Sequence, residues 1–219
     1  MVIDNNPLVT VIIPHYNHFQ FLRNAIDSVL NQSYKNVELI VIDDCSDDKK
    51  KFNEIKQQYI NNKNIIFLEN EKNLGTAETL NKALNIFNGE FLSWLSSDDY
   101  YHRDKILDQI KLCKNFEEVI YSNMYHIINS RTKKRKNTTK VKNKDFYWWL
   151  MFHDNLHGCS LLIPKKIIKD IGYFDKNLKY VHDYDYWLRI ANKYNFVHCN
   201  KPLIFTRSHE GQTSQLKEI

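Results

Sequence analysis

Two pairs of neighbouring aspartates each follow a short apolar run, and their four carboxylates are the groups best suited to chemistry. Asp43 and Asp44 follow the run at residues 37–42, while Asp98 and Asp99 follow residues 90–95 and two serines. Carboxylates crowded at one place repel one another unless a cation or hydrogen-bond donors offset their charge. Carboxylate oxygens are also the ligands that Mg²⁺ and Mn²⁺ prefer. The two pairs therefore predict a site for a divalent metal and a nucleotide.

The segments around these acids predict the elements that must position them. Apolar runs typical of buried strands alternate with helical stripes, which predicts βαβ units and a mostly parallel sheet. Strands are predicted at residues 9–13, 37–42, 65–68 and 91–95, and helices at 19–30, from Ser46 or Asp47 to about Ile60, and at 76–87. In such a sheet ligands bind outside the carboxyl ends of the strands, where both aspartate pairs fall.

The second half of the chain is less regular. Its predicted helices lie at residues 104–113, 146–152 and 183–194, and its predicted strands at 119–121 and 160–163. At 219 residues the chain fits a single α/β domain. We expect a nucleotide-binding half at about 8–100 and an acceptor-binding half at about 101–219.

The four cysteines lie far apart in the sequence and form no CxxC-type pair. A zinc site or a disulfide framework is therefore not expected. We expect reduced thiols in a cytoplasmic protein instead. Residues 1–7 show no basic region followed by an apolar stretch, so no signal peptide is expected. No apolar run approaches the roughly 18 residues that a membrane helix needs.

The net charge of +5 is local rather than general. The stretch from Arg131 to Lys144 contains eight basic residues and no acid, so the rest of the chain is net negative. A nucleic-acid-binding surface is therefore not expected. The stretch is either a solvated hairpin or loop, or a contact for anionic lipid headgroups at the inner face of a membrane.

Seven segments in a fixed order give the chain its resemblance to a known family. They read VIIPHYN (11–17), VIDDCS (41–46), NLGTAETLN (73–81), LSSDD (95–99), GYFD (172–175), HDYDYWLR (182–189) and RSH (207–209). This order and spacing, from residue 9 to about 214, closely resembles the family 2 glycosyltransferases, which are inverting enzymes of the GT-A fold. The resemblance implies that a sugar is moved from a nucleotide-diphosphate donor, UDP being expected, to a glycan or lipid-linked acceptor in cell-surface polysaccharide synthesis.

The resemblance also implies which residues bind the nucleotide. Asp44 would accept a hydrogen bond from the base and Tyr16 would stack on it, while Asp98 would bind the ribose. The other residues that match the donor side are Pro14, Asn17, Asn73 and Gly75. From the residues alone, Asp44 could instead cap the next helix, and the segment with Asn73 and Gly75 could be an ordinary turn.

Metal binding, by Mn²⁺ or Mg²⁺, is implied for Asp99 and for His209, whose imidazole can ligate a cation. Ser96 departs from the pattern, because many relatives carry Asp there, so one acidic contact is absent. The alternatives are a plain turn of Ser and Asp residues after a strand, and a flexible tail around His209.

Asp183 is the candidate general base, since inversion needs a carboxylate to deprotonate the acceptor hydroxyl. The family places such an Asp at the start of a helix, six residues before an Arg, and Asp183 and Arg189 match that spacing. The alternative is that Asp183 is the N-cap of this helix. Asp185 is the second candidate for the base.

Four further residues are candidates for contact with the acceptor or with phosphate, namely His157, Gly158, Arg207 and Trp148. Arg207 could bind phosphate as a fork. Trp148, Trp149 and Phe152 could stack on a sugar ring, although aromatic residues at helical spacing are more often buried in a core.

Two other functions also use acidic residues at strand ends. A nucleotidyltransferase is one, but a Gly-rich basic loop would be expected after its first strand, where this chain reads PHYNH (14–18). A phospho-acceptor receiver domain is the other, and it would be about half this length. A receiver domain would not need Asp183 or His209.

Overall fold

The computed structural model describes residues 6–128, 131–135, 141–153 and 156–209. Within these ranges the chain forms an α/β fold in which helices flank a central sheet. The strands are β1 (Val9–His15), β2 (Val37–Asp43), β3 (Ile65–Glu69), β4 (Phe91–Trp94), β5 (Tyr100–Tyr101), β6 (Glu118–Ile128), β7 (Arg131–Arg135), β8 (Leu161–Pro164) and β9 (Asn195–Arg207). The helices are α1 (Phe19–Leu30), α2 (Lys49–Gln58), α3 (Thr76–Leu84), α4 (Lys105–Ile110), α5 (Asn143–His153), α6 (Lys165–Ile171) and α7 (His182–Ala191).

The first half of the sheet is parallel, as the sequence predicts. Its strands lie in the order β3-β2-β1-β4. Strands β2 and β3 are added on one side of β1, and β4 is added on the other side. Both faces of β1 are buried, because Val11 and Ile13 pack against α1 on one face while Ile12 packs against α3 on the other. This explains why these strands are continuous apolar runs rather than alternating ones.

The second half of the chain extends the same sheet. Strand β8 pairs antiparallel with β4, and the order continues through β6 and β9 to β5. Strand β7 pairs antiparallel with β6. The backbone of residues 131–135 thus agrees with the hairpin interpretation for the first part of the basic stretch, while residues 136–140 lie outside the described residues. The division of the chain into a nucleotide-binding and an acceptor-binding half stays a prediction.

The elements of the parallel half were predicted well, and the differences lie at short elements, at helix ends and in the long strands β6 and β9. Helix α1 has the predicted bounds, whereas α2 begins later because Asp48 is its N-cap and accepts a hydrogen bond from the Lys51 N–H. The prediction that Ser46 or Asp47 caps this helix is therefore wrong. Strands β5 and β7 and helix α6 were not predicted, β6 is much longer than the strand predicted at residues 119–121, and no bounds were predicted for β9.

Among the described helices, none combines the length and the apolar character that crossing a bilayer requires. All four cysteines are free thiols; Cys45 is half-buried and the other three are buried.

Candidate active site

The candidate site lies where β1, β2 and β4 end, at the carboxyl edge of the parallel half of the sheet. The register places His15 opposite Asp43, and the Leu95 N–H donates to the Ile12 carbonyl just beyond β4. The Asp44 N–H donates to the His15 carbonyl at 2.7 Å. Because the three strands are parallel, the polar residues that follow each of them meet at one edge, as predicted.

Asp44 is buried and holds the loop that precedes α3. Its Oδ1 accepts from the Asn70 side-chain amide and the Leu74 N–H, and its Oδ2 accepts from the Gly75 N–H, each at 2.8 Å. The alternative that Asp44 caps the helix after it is therefore wrong, since its bonds go to the loop before α3. Oδ2 has one protein donor and retains acceptor capacity for a ligand N–H.

Asn70 is a site residue that the sequence reasoning missed. Its amide also donates to Thr79, and its carbonyl oxygen accepts from the Lys82 ammonium at 2.8 Å. It directly follows β3. The rule that placed the aspartates, polar residues just beyond parallel strands, would have identified it as well.

Asp43 is fully buried and holds its own loop. Its carboxylate accepts from the Ser46 N–H and hydroxyl, and burial raises its pKa. His15 lies 3.9 Å from it, and burial lowers the pKa of His15 to about 3, so this imidazole is neutral. The Asp44 carboxylate thus bonds to the loop before α3, whereas the Asp43 carboxylate bonds to Ser46 in its own loop.

The segment after β1 carries the predicted base-stacking residue. Tyr16 is exposed, directly after Pro14 and His15 at the end of β1. Asn17 has a φ of 57°, and its side chain exchanges two hydrogen bonds with Asp47 across the edge. This pairing ties the loop after β1 to the loop after β2.

Asn73 and Gly75 lie at the start of α3, as predicted. Gly75 is the N-cap with a φ of 81°, a left-handed conformation that favours glycine, and its N–H also donates to Asn73 Oδ1 at 3.2 Å. Asn73 is exposed beside it.

Asp98 and His209 form a direct contact. His209 Nε2 lies 3.0 Å from Asp98 Oδ2, and the imidazole packs edge-on against His18 and near Phe21 at the start of α1. His209 thus contacts both the loop after β4 and the start of α1, which contradicts the flexible-tail alternative for this residue.

Arg207 fastens the end of β9 to the same loop. Its backbone N–H donates to Asp99 Oδ1 at 2.9 Å, and its guanidinium donates to the Asp98 carbonyl and to Asn24. The guanidinium also lies over the rings of Phe21 and Tyr100. The predicted role of Arg207 in binding phosphate stays a prediction, since both terminal nitrogens donate within the protein here.

Asp99 faces a different set of groups from Asp98. Its Oδ2 lies 3.8 Å from His157 Nε2 and 4.0 Å from Cys159 Sγ. Burial and the neighbouring thiol raise the pKa of Asp99 well above its usual range. Ser96, where an acid was expected from the family pattern, places its N–H 3.2 Å from the Cys159 sulfur.

The donor atoms at this edge fit a divalent cation. Asp98 and His209 already lie within 3.0 Å of each other, with a carboxylate oxygen and an imidazole nitrogen pointing together. Asp99, His157 and Cys159 form a second group whose ligand atoms lie within 4.8 Å of one another. The two predicted ligands, Asp99 and His209, thus have different nearest partners, and Asp98 joins them as a candidate.

Asp183 lies in the first turn of α7, half-exposed. Val181 is the N-cap of this helix, and Asp183 is its second residue, accepting from the Tyr184 N–H. The alternative that Asp183 is the N-cap is therefore wrong. The preceding residue, His182, stacks on Trp94 at a ring-centroid distance of 6.0 Å. Because Trp94 ends β4, the start of α7 lies against the strand that leads to Asp98.

Asp185 is engaged elsewhere. Its carboxylate accepts from Arg189 Nε at 2.9 Å, and the same guanidinium donates to the carbonyls of Ile171 and Tyr173. The Arg of the family motif therefore braces α7 against the loop after α6 and holds Asp185 in an ion pair.

Gly158 and Trp148 lie in very different surroundings. A Cβ at Gly158 would come within 2.9 Å of the Trp94 ring, so glycine allows the tryptophan to pack there. Trp148 and Phe152 are exposed on α5, and Trp149 is half-buried, while Phe146 and Leu150 enter the core. The expectation that Trp148 and Phe152 are core residues is wrong.

Comparison with known proteins places the chain among glycosyltransferases. The sequence profile described as Glycosyl transferase family 2 matches residues 10–172. An uncharacterised glycosyltransferase of Rickettsia typhi is 37% identical over 95% of this chain and 66% of its own length. WcaA of Escherichia coli, a putative colanic acid biosynthesis glycosyl transferase, is 27% identical over 87% of this chain and 68% of its own length. The chain thus spans about two thirds of these relatives.

Solved structures show the same fold. Residues 1–349 of TarS from S. aureus, in complex with UDP-GlcNAc, match 97% of this chain and 62% of that chain, with a TM-score of 0.80 and 22% identity. The mannosyltransferase PcManGT from Pyrobaculum calidifontis, in complex with GDP-Man and Mn²⁺, matches 94% of this chain and 58% of that chain, with a TM-score of 0.71 and 19% identity. The predicted GT-A fold is thereby confirmed.

Proposed function

Because this chain belongs to glycosyl transferase family 2, we propose that it is an inverting transferase that moves a sugar from a UDP-linked donor to a glycan or lipid-linked acceptor. The observation that carries the proposal is the meeting of Asp44, Asp98 and His209 at one edge of the sheet, with Asp183 beyond Trp94. Family membership also removes the two alternatives, a nucleotidyltransferase and a receiver domain, that the aspartates alone left open.

The donor occupies the edge between the loops after β1 and β2. Asp44 Oδ2 accepts the N–H of the base, Tyr16 stacks on the base, and Asp98 binds the ribose. Pro14, Asn17, Asn73 and Gly75 shape the walls of this pocket. The UDP-GlcNAc bound to TarS supports a uridine donor, and the GDP-Man bound to PcManGT identifies guanosine as the nucleotide to test against it.

A divalent metal, Mn²⁺ or Mg²⁺, belongs to this proposal, with Asp99 and His209 as ligands and Asp98 beside them. When bound, such an ion offsets the charge that develops on the departing diphosphate. The Mn²⁺ in PcManGT supports a metal in this position. Arg207 and His157 supply further positive or hydrogen-bonding groups around the phosphates.

Asp183 performs the proton transfer. Its carboxylate takes the proton of the acceptor hydroxyl while that oxygen forms a bond to the anomeric carbon of the donor sugar. The bond from the anomeric carbon to the diphosphate oxygen breaks on the opposite face, and its electron pair leaves with the nucleoside diphosphate. One displacement inverts the configuration at the anomeric carbon.

We place the acceptor in cell-surface polysaccharide synthesis, for which the similarity to WcaA is the support. A lipid-linked acceptor would be met at a membrane surface, and the basic stretch from Arg131 to Lys144 would contact its anionic headgroups. His157 and Gly158 then border the acceptor pocket, and Trp148 lies on the side towards the lipid.

The proposal is tested by thermal unfolding with UDP, GDP and Mn²⁺ in turn and together. A ligand that binds the folded state at 100 times its dissociation constant stabilises it by about 2.7 kcal/mol. We expect UDP with Mn²⁺ to raise the melting temperature by several degrees, more than either alone and more than GDP with Mn²⁺. A melting temperature unchanged by both nucleotides with the metal would refute the donor site.

A further inference from the structure

Helix α5 exposes large apolar side chains on a single face. Trp148 is 59% exposed, Met151 36% and Phe152 75%, and their spacing of three and four residues puts them side by side. The opposite face is buried through Phe146 and Leu150. We call Trp148, Met151 and Phe152 the outer face of α5. A contiguous apolar surface of this kind marks a site of interaction.

The outer face lies next to the first turn of α7. Tyr184 directly follows Asp183. Its hydroxyl donates to the carbonyls of Leu150 and Met151 at 3.1 and 2.9 Å, which fixes α5 against the first turn of α7. Tyr180 and Val181, just before α7, are also exposed. The apolar surface and the candidate base are thus held together by hydrogen bonds.

Basic residues precede this surface in the sequence, with one acid, Asp145, in the first turn of α5. Eight basic residues and no acid occur in residues 131–144, and the last two of them, Lys142 and Lys144, are exposed at the start of α5. Aromatic side chains on one face with lysines beside them are typical of helices that lie in the interface of a bilayer. A second copy of the chain would bring like charges together, and a sugar ring would not account for the charge.

We propose that the outer face of α5 inserts into the headgroup boundary of an anionic bilayer, with Lys142 and Lys144 against the lipid phosphates. The helix lies flat on the surface, because its inner face remains packed in the core. The contact holds the start of α7 close to the bilayer surface. That this brings Asp183 to a lipid-linked acceptor rests on the proposed function, whereas the membrane contact itself does not.

Flotation with lipid vesicles tests the contact without any donor or acceptor. We expect the protein to float with vesicles of 70% phosphatidylcholine and 30% phosphatidylglycerol and to remain unbound with phosphatidylcholine alone. Trp148→Ala with Phe152→Ala should lower partitioning by about tenfold or more, because membrane affinity scales with the apolar area inserted. Replacing Lys142 and Lys144 by Gln should lower it and reduce its dependence on salt.

The matched control is Ile60→Ala with Ile86→Ala, which removes two exposed apolar side chains elsewhere, 63% and 42% exposed. This control should float like the unchanged protein. Quenching of Trp148 fluorescence by brominated lipid, assigned with Trp148→Phe, gives a second measurement that does not depend on how the alanine variant folds. Equal flotation with neutral vesicles, no flotation, absence of quenching, or a dimer that the alanine variant dissociates would each overturn the proposal.

Discussion

His209 Nε2 lies 3.0 Å from Asp98 Oδ2, so the end of β9 contacts the loop that follows β4. The two residues are 111 positions apart in the sequence, and Arg207 bonds to the Asp98 carbonyl and to Asp99 beside this contact. One carboxylate and one imidazole at hydrogen-bond distance are the most compact pair of metal-ligand types at the candidate site. Their arrangement leads to the first prediction.

His209→Ala should weaken binding of Mn²⁺ in the presence of UDP. The apparent dissociation constant for Mn²⁺ should rise by about tenfold or more. Even residues that only hydrogen-bond to a metal ligand lower metal affinity by about 10- to 100-fold when they are replaced. The measurement is a titration followed by the electron paramagnetic resonance signal of free Mn²⁺. His153→Ala, an exposed histidine at the end of α5, should leave the titration unchanged. Equal titrations for all three proteins would remove His209 from the metal site.

Asp183→Asn should lower the rate of sugar transfer by about 10²- to 10⁴-fold, since an amide cannot accept the acceptor proton. Stabilisation by UDP with Mn²⁺ should be retained, because Asp183 does not contact the donor in the proposed arrangement. Asp185→Asn is the matched control, because it removes the same charge two residues along the helix. The Asp185 carboxylate is paired with Arg189. If Asp185→Asn lost transfer and Asp183→Asn kept it, the two assignments would have to be exchanged.

Asp44→Asn should lower both stability and UDP affinity. The amide replaces one acceptor oxygen by a donor group, which faces N–H donors from Asn70, Leu74 or Gly75. Leaving such a donor unpaired costs about 1–3 kcal/mol of unfolding free energy. Chemical denaturation measures the stability, and calorimetric titration with UDP measures the affinity.

The control for Asp44 is Asp48→Asn, an identical chemical change in the same loop region. Asp48 caps α2 through the Lys51 N–H, and Asn is as good an N-cap as Asp, so little change is expected. Unchanged UDP affinity in Asp44→Asn would separate this residue from the donor and leave it a purely structural role.

Lys105 should make stability rise with pH above neutrality. It is fully buried, donates to Ser93, Gln109 and the Leu161 carbonyl, and burial lowers its pKa to about 7. The unfolded chain keeps this proton up to its ordinary pKa near 10.5. Between these values the unfolded state binds more protons than the folded state, so raising the pH favours folding.

Between pH 7.0 and 8.5 the contribution of Lys105 should amount to about 1–2 kcal/mol of unfolding free energy. Lys105→Met, which cannot titrate, should show a correspondingly flatter dependence in urea denaturation at the two pH values. The Cys159 and Cys199 thiols interact with Lys105, but burial raises their pKa values, so they stay mostly protonated in the folded state over this range. Identical slopes would mean that Lys105 remains charged when buried.

Local sequence pattern predicted the parallel half of the fold because each of its elements has a strong periodicity of its own. Helix α1 matches to the residue, since five buried side chains mark one face. Strand β5 has only two residues, too few for any alternation to appear. Helix α6 begins after Pro164 with no polar cap, so nothing in the sequence signals its start.

The residues of the candidate site that directly follow a strand could be predicted from the sequence. The contacts between residues far apart in the sequence could not. Asp44 and Asp98 follow from the rule for parallel sheets, and Asn70 would have followed from it as well. The contact of His209 with Asp98 and the stacking of His182 on Trp94 require the second half of the chain to join the sheet. That arrangement arises from long-range strand pairing, which local pattern does not encode.

Because β9 pairs with β6 and carries residues towards the candidate site, the site can be completed only late in translation. A ribosome adds about 5–20 residues per second, so roughly ten seconds separate the emergence of Asp98 from that of His209, 111 positions later. During this interval the parallel half can form its strands, but His209 and Arg207, which contact Asp98 and Asp99, have not yet been synthesised. A nascent chain halted before β9 should therefore lack the contacts of Arg207 and His209 with Asp98 and Asp99, and metal-dependent activity should appear only after β9 has left the exit tunnel.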